Sequence, residues 1–282
     1  MIFSLWLFWA LMTAVSWSVG QVVAKKSLAF FSPLSYNVLS SLVGSIVYLS
    51  YAYSLGFDLK RVTVLEVLLT VLICALFILF YYALASEEVS LSGTILSAYP
   101  VATVLLSVWF LKENLKLFQF ALILTIITGS MLIGWPKKRL SLKKEVWFLF
   151  CLLTALLVGL ADFLSKVVIG RVGLSGFVFL FGFGPLPGLA LTYLWDKKGR
   201  RLPKLSSRIW FFSILGAFFM EMGNIFLFTA FSKGPASLVS PVSSIYVALT
   251  VILALIFLKE KLRPIQKIGI SLMVLALLLF EI

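Results

Sequence analysis

Glu221 stands in GAFFMEMGNIFLF, where Asn224 is the one other polar side chain. A carboxylate buried among lipid-soluble neighbours costs at least a few kcal/mol, so it is expected to face a cavity and perform work there. Ser213, Ala217, Glu221, Asn224 and Phe228 recur at helical spacing and form one small, polar stripe on a bulky helix. The chemistry open to such an acid is binding a cation or exchanging a proton. A buried acid paired to a neighbouring helix for packing alone is the alternative.

Other residues could share that task. Asp162 and Lys166 lie four apart, on one helical face, where they could form an ion pair near a membrane interface. Tyr99 with Thr103, and Tyr246 with Thr250, repeat one pair at i and i+4. An aromatic ring with a hydroxyl can hold an apolar or cationic ligand while donating one hydrogen bond, although Tyr and Thr also serve helix packing. Trp17 and Gln21 complete the candidate set. Lys112-Glu113 and Lys259-Glu260 resemble an ionic signature, but they fall at span ends, where solvated ions anchor a helix.

The elements that must position these groups are apolar runs. The chain has 62% hydrophobic and 12% charged residues, far from a water-soluble mix. Runs near the roughly 20 residues that cross a bilayer core are predicted at 3–24, 33–54, 64–84, 90–110, 116–134, 146–169, 174–195, 208–231, 236–257 and 264–280. Their unbroken character argues for helices rather than the alternating strands of a barrel. The expected fold is therefore an all-α integral membrane protein with ten transmembrane helices. The segment FGFGPLPGLAL is expected to depart from a regular helix, and Pro100 and Pro241 invite kinks.

The chain also repeats itself. Residues 83–115 slide onto 230–262 without a gap, and 13 of the 33 positions are identical, among them Tyr99 with Tyr246 and Thr103 with Thr250. A weaker match at an offset of 141 pairs Gln21 with Asp162 and Lys25 with Lys166. The basic segment 137–145 separates residues 1–136 from 146–282, five predicted helices on each side. Five is odd, so the second unit enters the membrane with the opposite orientation, giving two inverted five-helix repeats. Odd-numbered loops hold 17 of the 24 Lys and Arg residues, which places both termini outside by the positive-inside rule.

Several function classes drop away. The charge of +13 is spread over loops rather than one face, so no nucleic-acid partner is expected. No phosphate loop, nucleophile elbow or paired-His motif occurs, His is missing altogether, and Cys74 and Cys151 lie inside predicted spans. An enzyme, a metal site and a cofactor are not expected.

Taken together, the paired LKEN (Leu111 to Asn114) and LKEK (Leu258 to Lys261) endings, SKGPASLVSP (Ser232 to Pro241) and the two five-helix units resemble the drug/metabolite transporter superfamily, in its EamA-like ten-helix branch. The resemblance implies alternating access around a central cavity lined chiefly by helices one, three, four, six, eight and nine, and often export of amino acids, amines or other small metabolites. It also implies both termini inside, against the charge count. The expectation is a secondary active transporter, an exporter, of a small organic solute in a prokaryotic cytoplasmic membrane. It would work as a monomer or weak homodimer among membrane lipids, with a proton or cation as coupling ion and Glu221 as the coupling or charge-recognition residue. A lipid-carrier flippase and a non-transporting scaffold or receptor are the rival readings.

Overall fold

Lipid offers no hydrogen bonds, so an apolar run must pair its own N–H and C=O groups, and a helix does this within one segment. The computed structural model describes residues 4–28, 30–84, 96–135, 143–199, 206–258 and 262–279, and among them the regular structure is entirely helical. Helix α1 covers Leu5–Leu28, α2 Pro33–Leu55, α3 Val64–Leu84, α4 Pro100–Phe110, α5 Leu117–Ile133 and α6 Lys143–Phe183. Then follow α7 at Pro185–Trp195, α8 at Ser207–Lys233, α9 at Ala236–Ser243, α10 at Tyr246–Leu258 and α11 at Pro264–Leu279. The Lys259-Glu260 pair and most of the basic 137–145 segment lie outside the described residues.

Local chemistry sets the helix ends. Ser32 caps α2 by accepting the Ser35 N–H at 3.0 Å, Pro33 fills the first turn, and Gly56 closes the helix at φ 67°. Thr63 caps α3 by accepting the Leu65 N–H at 3.3 Å, and the Glu66 carboxylate reaches back to accept the Thr63 N–H at 3.1 Å. Arg171 reaches the same carboxylate at 3.3 Å and ties α3 to α6.

Five stretches are long and apolar enough to cross a membrane: Leu5–Val23, Pro33–Leu55, Leu149–Trp195, Ser207–Lys233 and Ala236–Phe257. Shorter apolar helices cover Val64–Phe80, Pro100–Phe110, Leu117–Ile133 and Pro264–Leu279. The third long stretch has 47 residues, about 70 Å if straight, more than twice a bilayer core. Gly173 interrupts it at φ 76° and ψ 168°, a conformation that only glycine adopts without strain. Outward faces carry large apolar side chains such as Ile46, Trp109, Phe257 and Leu278, whereas Thr13, Ser40, Thr103, Ser213 and Ser240 are buried. Polar groups inside and apolar groups outside is the arrangement lipid demands.

Where breaks occur is partly a surprise. The Gly- and Pro-rich segment bends less than expected: Gly184 keeps helical angles (φ −55°, ψ −33°), its N–H reaches Leu180 O at 2.9 Å, and α7 restarts at Pro185. Tight turns with i to i+3 bonds come at Ser97–Tyr99 and again at Ser244–Ile245, such as Tyr99 N–H to Leu96 O at 3.1 Å and Ile245 N–H to Val242 O at 3.2 Å, although Tyr99 and Ser244 keep right-handed helical angles. These two turns fall at matching positions of the duplicated segment.

Packing follows the duplication as well. Helix α1 lies along α8, as α3 lies along α6, and α5 crosses α11. That last crossing is close because Gly129 and Gly269 face each other. A Cβ on Gly129 would stand 2.8 Å from Gly269 O, and one on Gly269 would stand 2.8 Å from Ile133 Cγ1. Gly129→Val should therefore destabilise the protein in detergent by about 1–3 kcal/mol through overpacking. Leu278→Val on the outward face of α11 should leave the unfolding midpoint unchanged, and equal midpoints for both variants would refute the close crossing.

Candidate functional site

A cavity of about 120 Å³ opens between the two halves. At roughly 10–15 Å³ of such space per water, it has room for several waters or one small organic solute. From the first half it is lined by Trp17 and Gln21 of α1, Asn37, Ser40, Ser41 and Tyr48 of α2, Phe77 and Phe80 of α3, and Tyr99 at the turn before α4. The second half supplies Val158, Asp162 and Phe181 of α6, Pro185 of α7, Met220, Glu221 and Asn224 of α8, and Tyr246 of α10. Among these residues the charged ones are Glu221 and Asp162, and no Lys or Arg accompanies them.

Glu221 is 8% exposed. Ser40 Oγ donates to its Oε1, Tyr48 OH donates to its Oε2, and Asn224 Nδ2 donates to Oε2 at 2.9 Å. Asn224 Nδ2 also reaches the Tyr48 oxygen at 3.0 Å, while Trp17 Nε1 donates to Asn224 Oδ1 at 3.1 Å and to Met220 O at 3.2 Å. Trp17 thereby fixes the Asn224 amide with its nitrogen toward the carboxylate. Three helices, α1, α2 and α8, meet through this network. Gly44 permits it, since a Cβ there would stand 3.2 Å from Glu221 Cδ and 3.0 Å from Tyr48 Cε2.

Asp162 is 1% exposed and sits in the cavity rather than near an interface. The expected pair with Lys166 does not form. Lys166 Nζ donates instead to Phe231 O at 2.5 Å and Gly234 O at 2.8 Å, the free carbonyls at the end of α8. A cation is favoured there by the unpaired carbonyls and partial negative charge of a helix C-terminus. Asp162 Oδ2 accepts from Ser240 Oγ at 2.8 Å.

The expected aromatic pairs divide. Tyr99 and Tyr246 line the cavity, and Trp17 meets Tyr246 edge to face at 5.4 Å. Their threonine partners do not line it. Thr103 is fully buried and donates to Gly159 O at 3.1 Å, bolting α4 to α6. Thr250 touches Gln21 Oε1 at 3.4 Å and so contributes through a neighbour.

Sequence reasoning missed α2 altogether. Asn37, Ser40, Gly44 and Tyr48 follow a helical stripe as clear as that around Glu221, so a signal existed. The contribution of the predicted span 174–195, Phe181 and Pro185, also lay outside the expected set of helices. Glu113 proves to be more than a solvated anchor. Lys112 turns the chain at φ 56°, and Glu113 then accepts the N–H groups of Ala236 at 2.9 Å and Ser237 at 2.8 Å, capping α9 from the other half.

Comparison with known proteins places this geometry. The sequence profile of the EamA-like transporter family matches residues 4–135 and again 145–282. An uncharacterized protein of Methanocaldococcus jannaschii is 32% identical over 131 residues, which are 46% of this chain and 93% of that one. A relative of about half the length accords with a duplicated unit. One protein of known crystal structure superposes with a TM-score of 0.79 over 96% of this chain and 94% of its own, at 16% identity, a likeness of fold.

Tyr48→Phe keeps the ring and removes the hydroxyl shared by Glu221 and Asn224. Losing a hydrogen bond to a charged group should cost about 1.5–3 kcal/mol in denaturant titrations of detergent-purified protein. Tyr51→Phe, which removes a 3.3 Å contact to Thr229 Oγ1, should cost about 1 kcal/mol or less. A reversed order would show that the Glu221 network does not hold the helices together.

Proposed function

The chain belongs to the EamA-like transporter family, whose members carry small solutes across membranes, and on that premise we propose a secondary active exporter of a small organic metabolite that works by alternating access. Ten spans are arranged as two inverted repeats, 1–136 and 146–282, joined by the basic linker 137–145. The observation that carries this reading is a cavity lined from both halves, with two buried carboxylates and no basic side chain among its described lining residues. Exchange between α1–α8 and α3–α6 packing, which recurs across the duplication, supports inversion. Tight turns beside Tyr99 and Tyr246, both of which line the cavity, support a solute site between the repeats, because irregular backbone is tolerated in lipid where it borders a cavity.

Glu221 is the coupling residue in this reading. Ser40, Tyr48 and Asn224 supply donors for the ionised carboxylate, and a proton or cation taken up there would alter a network that joins α1, α2 and α8. Such a change at the junction of both halves is the type of local event that can bias one access state over the other. The protein resides in a prokaryotic cytoplasmic membrane with both termini outside.

Purified protein in liposomes should move at least one labelled solute from a panel of amino acids, amines and sugars. Absence of flux for the whole panel, together with lipid flipping, would overturn the solute reading. Glu221→Gln should reach the membrane in normal amount yet lose gradient-driven transport, and wild-type rates from pH 5 to 8 in this variant would refute the coupling role. A reporter fused after Ile282 should be active on the external side, and a cytoplasmic signal would reverse the orientation.

A further inference from the structure

The two carboxylates of the cavity are satisfied to different degrees. Glu221 meets three donor side chains across both of its oxygens. Asp162 meets one among the described residues, Ser240 Oγ at 2.8 Å on Oδ2. Ser240 has a single hydroxyl hydrogen, so the shorter contact to Asp162 claims it over the 3.3 Å contact to Thr103 Oγ1. Thr103 in turn spends its own hydrogen on Gly159 O. The lysine one turn along is held by backbone carbonyls of the α8 end. Asp162, 1% exposed, thus lines the cavity with no donor to its Oδ1 among the described residues. To stay ionised in that position the carboxylate calls for a positive partner from outside the described residues; without one it holds a proton.

The surroundings specify what sort of partner fits. Tyr99 lies near enough to Asp162 and to Tyr246 to interact electrostatically with both, and Trp17 stands against Tyr246 at 84°. Aromatic faces attract a cation, and they also offer apolar contact to whatever body carries it. A bare metal ion would want several oxygen ligands at one point, whereas the described residues form no group of three or more acidic, His or Cys side chains. An anion or a neutral sugar would leave the acid unpaired.

We propose that Asp162 anchors the positively charged group of the solute, an amine-bearing organic cation whose apolar portion rests against Tyr99, Tyr246 and Trp17. Asp162 is then the recognition acid and Glu221 the coupling acid, a division of roles that rests on the transport reading only for its coupling half. The recurrence of Tyr beside the two tight turns acquires a purpose, since both repeats contribute one ring to the same ligand. Gln21, the residue that matches Asp162 in the first repeat, is uncharged, so the charge-recognition end of the cavity exists in one half only.

Isothermal titration calorimetry on the full chain in detergent tests this with three matched probes: benzylamine, benzyl alcohol and benzoate. Benzylammonium should bind at least about tenfold more tightly than the other two, a difference of about 1.4 kcal/mol. Asp162→Asn should weaken benzylammonium binding by about tenfold or more, with a smaller loss for Glu221→Gln. Equal binding of the three probes by the wild type, no binding by any, or an equal loss in both variants would overturn the proposal. Should Asp162→Asn fail to fold, the wild-type probe series decides the question, with Asp162→Glu expected to retain the preference. Flux measurements in liposomes separate the two levels of inference. Transport of a zwitterionic amino acid without benzylammonium binding would sink the cation site and leave the transport reading standing, while benzylammonium binding without flux of any solute in the panel would do the reverse.

Discussion

Both acids in the cavity face the same constraint: lipid cannot solvate a charge, so each carboxylate must be met by groups carried on other helices. For Glu221 those groups come from α2 and from its own helix, with α1 orienting one of them through Trp17. Much else follows from that arrangement. Gly44 has to lack a side chain for α2 to approach, and the polar stripe of α8 has to turn inward. Buried hydrogen bonds to a charge are strong where they are complete and costly where they are not, which makes this junction a point of high leverage over helix position.

The helical character, the lipid-facing surface and the duplication were legible in the residues because they rest on long, redundant signals. Glu221 was legible for a different reason. One acid in a run of Phe, Met and Ile is improbable without a task, and the stripe through Ser213 and Phe228 gave its direction. Asp162 was harder. Spacing alone paired it with Lys166, because i and i+4 share a face, but spacing is blind to the carbonyls of α8 that compete for the lysine. Thr103 and Thr250 failed as cavity residues because sharing a helical face with a cavity tyrosine does not settle depth, and one turn further on that face already meets α6 or α1. The stripe on α2 was readable and went unread, being built of Asn, Ser and Tyr with no charge to draw notice.

Duplication supplies the frame, and departure from it supplies the chemistry. Tyr99 and Tyr246 recur, as do the tight turns beside them, and each half thereby brings the same kind of ring to the cavity. The acids do not recur in the same way: Asp162 aligns with Gln21, and Glu221 answers to no acid in the first repeat. A cavity made by two similar halves is in this manner given one electrostatic sense, negative toward the second half.

Glu113 belongs to the first half and yet holds the first turn of α9, while Lys166 holds the last turn of α8. The short turn between those helices is thus gripped at both ends by ions from elsewhere in the chain. Any movement that parts the halves at this end has to surrender the two charge-assisted bonds that Glu113 makes across them, while the two from Lys166 stay within the second half. The combined strength of the Glu113 bonds acts as a latch, and it bears on how long the closed arrangement persists rather than on which solute enters it. In the proposed transport cycle that latch and the solute cavity are separate places in the fold, so a change at one leaves the contacts of the other in place.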